Sequence, residues 1–275
     1  MISYTKYNSC GNDFIIIDNR QNIFVKSKLV DFVNDSQSYI KKICDRQHGI
    51  GADGFILLED SNNKKNSYKM TYYNSDGLVS TFCGNGSMCC ANFAARILGD
   101  YKKDFFSGVF ETSQGEFFFK SNFQSFETKI SMIDVYDIHT NDIGKVVDTG
   151  SPHIVIYNEK IDSIDVDFEG HHIRNSNNFK KNGINVTFTS IKKNKIFIRT
   201  YERGVESETL SCGTGAVAAV LCSFDEGLIS KNNVNVFTRG GVLNVSFEKN
   251  INNIFTNIFL KSVVKREYEA PLPIF

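Results

Sequence analysis

One tetrapeptide pattern, Cys-Gly-x-Gly, occurs twice in this chain, and each copy opens a segment that is typical of a buried helix. The first copy is Cys83-Gly84-Asn85-Gly86, and the second, 129 residues later, is Cys212-Gly213-Thr214-Gly215. The segments at 87–98 and 214–224 are apolar or small on nearly every side. A helix without a polar face is usually buried, so each segment is predicted to be a central helix enclosed by other elements.

Other features recur in the same order at similar offsets, as an internal duplication predicts. The matching features are Gly11-Asn12-Asp13-Phe14-Ile15 with Gly150-Ser151-Pro152-His153-Ile154, Asn74 with Asn185, and Gly115 with Gly240-Gly241. We therefore predict two like-folded halves, about 1–121 and 122–264. The final strand or tail, 265–275, is expected to return to the first half.

Most of the remaining chain has the patterns of strands. Short apolar runs such as 14–17 and 55–58 have the length of buried strands, and residues 68–72 and 242–247 alternate between apolar and polar. A further amphipathic helix is expected at 27–44. The predicted fold class is mixed α/β, with two pseudo-symmetric halves that each wrap a mostly antiparallel sheet around a central buried helix.

Charge and hydropathy exclude several function classes. The 31 basic residues balance 31 acidic residues, whereas a general nucleic-acid or anionic-membrane binder needs a basic excess. The N-terminus lacks the pattern of a signal peptide, and the apolar runs are far shorter than a bilayer requires. We therefore expect a cytoplasmic protein that binds a small molecule and neither nucleic acid nor membrane. The sequence leaves open whether the protein forms a homodimer.

The seven cysteines are an odd number, which argues for free thiols rather than a disulfide framework when no signal peptide is expected. Zinc fits poorly, because the sequence has no C-x2-C pair and His171-His172 has no matching ligand pair nearby. No metal site is predicted.

The two Cys-Gly-x-Gly segments suggest a chemistry. The first turn of a helix leaves backbone N–H groups without intrahelical partners and attracts anions, and glycine lets a carboxylate approach closely. The same environment stabilises a thiolate. If Cys83 and Cys212 face one cleft between the halves, one can remove a proton from a carbon as thiolate while the other returns a proton to the opposite face. Such a pair inverts a stereocentre without a cofactor, and its working state is one thiolate and one thiol.

A simpler interpretation is that each cysteine is only a small apolar residue at a helix start. The repetition of the whole pattern argues against it for Cys83 and Cys212. Cys89, Cys90 and Cys222 lack this context and are assigned no chemistry.

The chain resembles diaminopimelate epimerase over nearly its full length. Eight motifs in order carry the resemblance: Gly11-Asn12-Asp13-Phe14; Asp45-Arg46 with Gly49-Ile50-Gly51-Ala52-Asp53-Gly54; Asn74-Ser75-Asp76-Gly77; Cys83-Gly84-Asn85-Gly86; Gly150-Ser151-Pro152-His153; Asn185; Glu202-Arg203-Gly204; and Cys212-Gly213-Thr214-Gly215. The resemblance implies a cofactor-independent interconversion of LL- and meso-2,6-diaminopimelate in lysine and peptidoglycan precursor biosynthesis. It also implies the duplicated fold.

The resemblance assigns roles residue by residue. Cys83 and Cys212 match the acid/base cysteines. The groups that hold the carboxylate of the reacting carbon match Gly84, Asn85, Gly213 and Thr214. The partners of the distal amino-acid end match Asn12, Asn74, Asn185, Glu202 and Arg203. His153 and Ser151 match positions that contact the substrate-binding and catalytic residues rather than the substrate itself. The chain departs from the family pattern at Ser151, Gly54 and Met88.

Two rival functions stay open at this stage. One is a related two-cysteine racemase of the proline racemase type, against which Arg203, Asn74 and Asn185 argue, since a compact substrate needs no second carboxylate clamp. The other is a non-catalytic thiol redox or ligand-binding protein in which Cys83 and Cys212 form a disulfide.

Overall fold

A computed structural model describes residues 2–26, 36–80, 82–193 and 195–273. The chain divides into two compact units. The first unit comprises Met1–Ile130 and Val263–Phe275, and the second comprises Ser131–Ser262. No helix in the described ranges combines the length and apolar character that a membrane span requires.

The first unit is a sheet folded around one helix. Its strands are β1 (Ser3–Ser9), β2 (Asn12–Asp18), β3 (Gly54–Glu59), β4 (Tyr68–Asn74), β5 (Phe105–Thr112), β6 (Gly115–Asn122), β7 (Glu127–Ser131) and, from the end of the chain, β17 (Lys265–Pro271). Its helices are α1 (Ile23–Lys26), α2 (Ser36–Cys44) and α3 (Gly84–Leu98). In space the strands run β17-β1-β2-β3-β4-β5-β6-β7, and only the β2–β3 and β4–β5 pairs are parallel.

The second unit repeats this plan. Its strands are β8 (His139–Thr140), β9 (Lys145–Asp148), β10 (Pro152–Tyr157), β11 (Asn185–Lys192), β12 (Lys195–Glu202), β13 (Ser207–Thr209), β14 (Asn233–Phe237), β15 (Val242–Lys249) and β16 (Phe255–Val263). Its helices are α4 (Val166–Arg174) and α5 (Gly213–Asp225). The order β8-β9-β10-β11-β12-β14-β15-β16 has parallel pairs at β10–β11 and β12–β14, the same two places as in the first unit.

The long apolar helices are the cores of the two units. Helix α3 contacts β1 to β6, and α5 contacts the six equivalent strands β9, β10, β11, β12, β14 and β15. Residues 84–95 and 213–223 are buried without a break, as expected from segments with no polar face. The predicted fold class, two repeated halves of mixed α/β type, is confirmed.

Parallel neighbours need a long connection. The β2–β3 and β10–β11 connections each carry a short outer helix, whereas the β4–β5 and β12–β14 connections carry the central helices α3 and α5. Helix α2 packs Tyr39, Ile40 and Ile43 on the outer face of β2 and β3, and α4 packs in the same way near β11 and β12. A helix was predicted at 27–44; it is present over Ser36–Cys44, and residues 27–35 lie outside the described residues.

The boundary between the units differs from the predicted one. The prediction divides the chain after residue 121, which is inside β6, whereas the units divide after Ile130. The reason is that β7 continues the first sheet as the partner of β6. At the end of the chain, β17 pairs with β1, so residues 265–271 belong to the first sheet.

The strand registers also correct one predicted repeat. Asn74 lies opposite Gly54 at the end of β4, whereas Asn185 lies at the start of β11 opposite His153. Because β3 is equivalent to β11 and β4 to β12, the counterpart of Asn185 is Gly54, and the counterpart of Asn74 is Glu202. The predicted pairing of Asn74 with Asn185 was wrong, since similarity of residue type does not fix strand register.

Candidate active site

Both cysteines of the repeated pattern occupy the N-cap position of a central helix. Cys83 caps α3 with φ −134° and ψ 111°, and Cys212 caps α5 with φ −120° and ψ 115°. Each sulfur accepts a hydrogen bond of 3.4 Å from a backbone N–H of the first turn, that of Gly86 or Gly215. The sulfur thereby satisfies an N–H group that has no intrahelical partner, in the place where a helix favours negative charge.

The second glycine of each pattern lets the helix start lie close to the sheet. A Cβ on Gly86 would lie 3.2 Å from Ile56 Cδ1, and a Cβ on Gly215 would lie 3.1 Å from Thr187 Oγ1. Ile56 and Thr187 are equivalent in the strand registers, so the two close approaches occur at the same point of the repeated fold.

An amide borders Cys83. Asn12 Oδ1 lies 3.8 Å from Cys83 Sγ and accepts a hydrogen bond of 3.5 Å from Asn85 Nδ2. The nitrogen end of the Asn12 amide points the other way and donates to Asp53 Oδ2 over 2.7 Å. Asn85 is buried, with 1% of its surface exposed. The first unit thus places Asn12 and Asn85 beside its cysteine, although the resemblance assigned Asn12 to the distal end of the substrate.

Asp53, the hydrogen-bond partner of Asn12, belongs to a network of charged side chains. Arg46 Nη2 bridges Asp13 Oδ1 at 2.8 Å and Asp53 Oδ1 at 2.7 Å, and Lys6 Nζ lies 2.8 Å from Asp13 Oδ2 and also donates to the carbonyl of Gly51. Burial raises the pKa of Asp13, but hydrogen bonds from Arg46 and Lys6 outweigh it and lower this pKa to about 2. Asp13 therefore stays ionised at neutral pH.

In the second unit, a chain of neutral groups extends from Cys212 beneath the start of α5. Cys212 Sγ lies 3.4 Å from Thr214 Oγ1, which lies 2.8 Å from His153 Nε2. His153 Nδ1 is 2.9 Å from Thr187 Oγ1, and Thr187 in turn is 3.3 Å from Thr200 Oγ1. Hydroxyl groups can donate or accept, so this chain can adapt to either protonation state of Cys212.

His153 is neutral in this environment. Its side chain is fully buried, and burial, with a smaller contribution from the positive charge of Arg203, lowers its pKa to about 3. A neutral imidazole has one donor nitrogen and one acceptor nitrogen, and a change of tautomer exchanges them. His153 can therefore reverse the direction of its hydrogen bond to Thr214 without acquiring a net charge.

Asn185 braces the strand ends of the second unit. Its Nδ2 donates to Ser151 Oγ at 2.7 Å and to the carbonyl of Pro152 at 2.9 Å, while its Oδ1 accepts from the backbone N–H of Arg203 at 2.9 Å. The Arg203 guanidinium is exposed and donates to the carbonyl of Asn182 over 2.9 Å. Ser151 and Asn185 thus fix the backbone from which the cationic side chain of Arg203 extends.

The remaining predicted residues lie at strand ends and helix starts. Asn74 closes a tight turn whose Gly77 has φ +81°, and Glu202 Oε1 accepts from Thr209 Oγ1 over 2.5 Å. Gly84 and Gly213 are the first residues of α3 and α5, and both are buried. Cys83, Asn12, Asn74, Gly84 and Asn85 therefore lie in the first unit. The second unit holds Cys212, Ser151, His153, Asn185, Glu202, Arg203, Gly213 and Thr214.

The other helix cysteines have different surroundings. Burial raises the pKa of the Cys222 thiol to about 12 and those of Cys89 and Cys90 well above the usual value. These thiols stay protonated in the core.

Comparison with known proteins assigns the family. The family model of the diaminopimelate epimerases matches residues 4–117 and 145–258. The chain belongs to the diaminopimelate epimerase family. The diaminopimelate epimerase of Flavobacterium psychrophilum is 40% identical over 271 residues, which cover 97% of this chain and 98% of that protein. The diaminopimelate epimerase of Aquifex aeolicus is 36% identical over 92% of this chain and 93% of that protein.

Solved structures share the fold at low identity. A probable proline racemase from Agrobacterium radiobacter superposes with a TM-score of 0.74 at 13% identity, covering 100% of this chain and 94% of that one. A hydroxyproline epimerase from Agrobacterium vitis gives a TM-score of 0.72 at 11% identity, with coverage of 98% and 90%. At these identities the likeness shows the fold alone.

The positions at which this chain departs from the diaminopimelate epimerase pattern have local explanations in two cases. Ser151 keeps a hydrogen bond to Asn185. Gly54 leaves room for a neighbour, because a Cβ there would lie 2.5 Å from Tyr72 Cε2. Met88 is fully buried within α3, and nothing in the structure explains the choice of methionine there.

Sequence reasoning assigned no role to the network of Lys6, Asp13, Arg46 and Asp53, although three of the four lie in the quoted motifs. The positions of the two aspartates in the sequence could have indicated this network. Asp13 and Asp53 immediately precede Phe14 and Gly54, which are neighbours in the parallel β2–β3 pair, so the two carboxylates must lie close together. Like charges at that distance need a shared cation, which Arg46 supplies.

Proposed function

We propose that this chain interconverts LL- and meso-2,6-diaminopimelate. The observation that carries the proposal is a cysteine at the N-cap of the central helix in each of two like units, in a chain of the diaminopimelate epimerase family. The two proteins described above that are 36% and 40% identical to this chain both bear the name diaminopimelate epimerase.

The proposed chemistry is a proton exchange on two faces of one α-carbon. One cysteine, as thiolate, takes the α-proton; the C–H bond breaks and its electron pair stays on carbon. The other cysteine, as thiol, donates its proton to the opposite face and becomes the thiolate. The reverse reaction exchanges the roles, so Cys83 and Cys212 titrate as one pair.

The carboxylate of the reacting carbon is assigned to the two helix starts, Gly84-Asn85 and Gly213-Thr214. Backbone N–H groups in the first turn of a helix suit an anion and stabilise the charge that moves toward the carboxylate as the carbanion forms. The support is the capped geometry of α3 and α5 and the burial of all four residues.

The distal amino-acid end is assigned to Arg203, Glu202, Asn74, Asn185 and Asn12. A guanidinium binds a carboxylate, and a carboxylate accepts from an ammonium group. Both ends of the Asn12 and Asn185 amides already have protein partners, so their orientation is set before the substrate binds.

Solvent isotope incorporation tests the proposal. LL-diaminopimelate incubated with the protein in deuterated water should gain deuterium at the α-carbon and give meso-diaminopimelate at equilibrium. Absence of deuterium at that carbon would exclude the function, and incorporation into proline instead would indicate the related racemase. Oxidation that joins Cys83 to Cys212 should abolish turnover and reductant should restore it; full activity of the oxidised protein would show that the thiols are not the bases. A cytoplasmic location and a homodimer stay predictions.

A further inference from the structure

The orientation of the Asn12 amide is dictated by its neighbour. Asp53 Oδ2 lies 2.7 Å from the nitrogen end of Asn12. An ionised carboxylate can only accept hydrogen bonds, so the NH2 group of Asn12 must face Asp53. The oxygen of the amide is consequently the end that faces Cys83, at 3.8 Å from its sulfur.

Asp53 is itself held in place by donors. Its Oδ2 also accepts from the backbone N–H of Asp13 at 3.0 Å, and its Oδ1 pairs with Arg46 Nη2 at 2.7 Å. Arg46 is anchored in turn by two hydrogen bonds to Asp13, of 2.8 and 3.2 Å. The carboxylate of Asp53 therefore has a fixed position, and so does the amide that it orients.

This orientation has a consequence for Cys83. Its sulfur accepts from the N–H of Gly86 and faces the acceptor oxygen of Asn12, an arrangement that suits an S–H group donating to that oxygen. Cys212 differs, because its side-chain neighbour Thr214 can either donate or accept. A fixed acceptor beside one thiol and an adaptable hydroxyl beside the other make the two cysteines inequivalent.

We propose that Asp53 is a positioning residue that locks the Asn12 amide oxygen toward Cys83 and so keeps Cys83 as the protonated thiol of the free enzyme. The thiolate of the working pair then starts on Cys212. The consequence for turnover rests on the function proposed above, whereas the state of the thiols can be measured without any substrate.

Several titratable groups lie on the elements that surround Cys83. Among the described residues they include Lys6 on β1, Cys10 on the β1–β2 turn, Asp13 on β2, Arg46 after α2, Lys69 on β4, Cys89 on α3 and Glu111 on β5. The experiment must therefore separate an effect through Asn12 from a plain change of charge.

Alkylation of the full-length protein by iodoacetamide, with Cys83 and Cys212 peptides followed by mass spectrometry, provides the measurement. In Asp53→Asn, an amide at position 53 can serve either end of Asn12, so Asn12 can turn its NH2 group toward sulfur and stabilise the thiolate. We expect Cys83 to react about tenfold faster near pH 7, with a lower pH midpoint, and Cys212 to change less than about twofold.

A double-mutant cycle isolates the route. In an Asn12→Ala background, Asp53→Asn should change the Cys83 rate by less than about twofold, because no amide remains to be turned. Glu111→Gln removes one negative charge from the cavity that Cys83 also lines, outside the contacts that hold Asp53 and Asn12, and should also stay within about twofold. Circular dichroism and unaltered Cys212 reactivity check that each variant is folded.

Two results would overturn the inference. One is an unchanged Cys83 rate in Asp53→Asn, and the other is the same acceleration in the Asn12→Ala background, which would mean that Asp53 acts by charge alone. If wild-type protein shows no epimerase activity, the proposed function fails while the alkylation result still decides the role of Asp53. If activity is present, Asp53→Asn should lower kcat more than it changes KM.

Discussion

The same three strand positions lie beneath the two cysteine-capped helices, and their side chains differ in kind between the units. They are Phe14, Ile56 and Tyr72 in the first unit and His153, Thr187 and Thr200 in the second. The strand order, the parallel pairs and the caps are the same in both units. The repeat thus preserves the backbone geometry at each sulfur, whereas the side chains behind it are free to differ.

The strand ends beside each helix show the same divergence. In the first unit, Asp53 forms a salt bridge with Arg46 and accepts hydrogen bonds from Asn12 and Asp13 at the start of β2. In the second unit, the neutral amide of Asn185 joins Ser151, Pro152 and Arg203. One brace depends on ionisation and the other does not, so the two halves should respond differently to pH and salt even though their topology is the same.

The strongest prediction concerns what the two units share. Cys83→Ala and Cys212→Ala should each lower epimerisation by about 10³- to 10⁴-fold, because inversion needs a proton group on both faces. Either variant should still eliminate halide from a halogenated analogue, which needs one base only. The matched controls are Cys89→Ala and Cys222→Ala, buried one to three turns further along the same helices, which should retain activity within about threefold. Normal epimerisation by the Cys83→Ala or the Cys212→Ala variant would show that the reaction does not need both cysteines.

Acid should act on the second unit first. His153 has a pKa of about 3 in the folded protein against 6.5 for an ordinary histidine, so between these values the unfolded chain binds a proton that the native protein does not. Stability should therefore fall as the pH falls through this window, by at most about 1.4 kcal/mol per pH unit. Asp13 has its pKa lowered from 3.8 to about 2, so its contribution is fully present above about pH 3.8 and is lost only as the pH falls from 3.8 toward 2.

Urea unfolding between about pH 7 and pH 4 measures this difference, with hydrogen exchange of β2–β3 and β10–β11 to locate it. His153→Gln should remove most of the loss of stability over that range. If the variant loses stability as steeply as the wild type, the neutral buried imidazole is not its cause.

The sequence sufficed for the features that depend on residue type and spacing. The repeated glycines and the all-apolar segments predicted two buried helices and the duplicated fold. The predicted helix starts, residues 87 and 214, are later than the observed Gly84 and Gly213. Glycine is a poor helix former, and cysteine is not a usual N-cap, so only tertiary packing reveals that the helices begin at the cysteines.

Other features depend on register and could not be predicted by inspection. The equivalence of Asn185 with Gly54 follows from the β2–β3 and β10–β11 pairings, and the sequence matched Asn185 with Asn74 instead. The role of Asp53 toward Asn12 also requires side-chain positions across the parallel pair. Motif similarity identified these residues as important without indicating what they contact.

The hydrogen-bonded link from Cys212 through Thr214 to His153 should contribute more to kcat than the equivalent contact of Asn85 in the first unit. Thr214→Val keeps the size of the side chain but removes the hydroxyl between the sulfur and the imidazole, and kcat should fall about 10- to 100-fold. Asn85 is the equivalent residue, yet Asn12 is oriented by Asp53 rather than by Asn85, so Asn85→Thr should lower kcat less than about fivefold. Steady-state kinetics on both variants tests the asymmetry; equal losses would show that the two links work alike.

The smallest expected effect is a difference in salt dependence between the contacts of Arg46 in the first unit and those of Asn185 in the second. Arg46 is 58% exposed, so Arg46→Gln should lower the free energy of unfolding by only about 0.5 kcal/mol. Asn185→Ala leaves buried groups without partners and should lower it by about 1–2 kcal/mol. Raising NaCl from about 0.05 to 1 M should at least halve the Arg46 effect, because salt screens exposed charges, and leave the Asn185 effect unchanged. Salt dependence of the same size in both variants would show that the Asn185 brace also depends on charge, for example through the nearby guanidinium of Arg203.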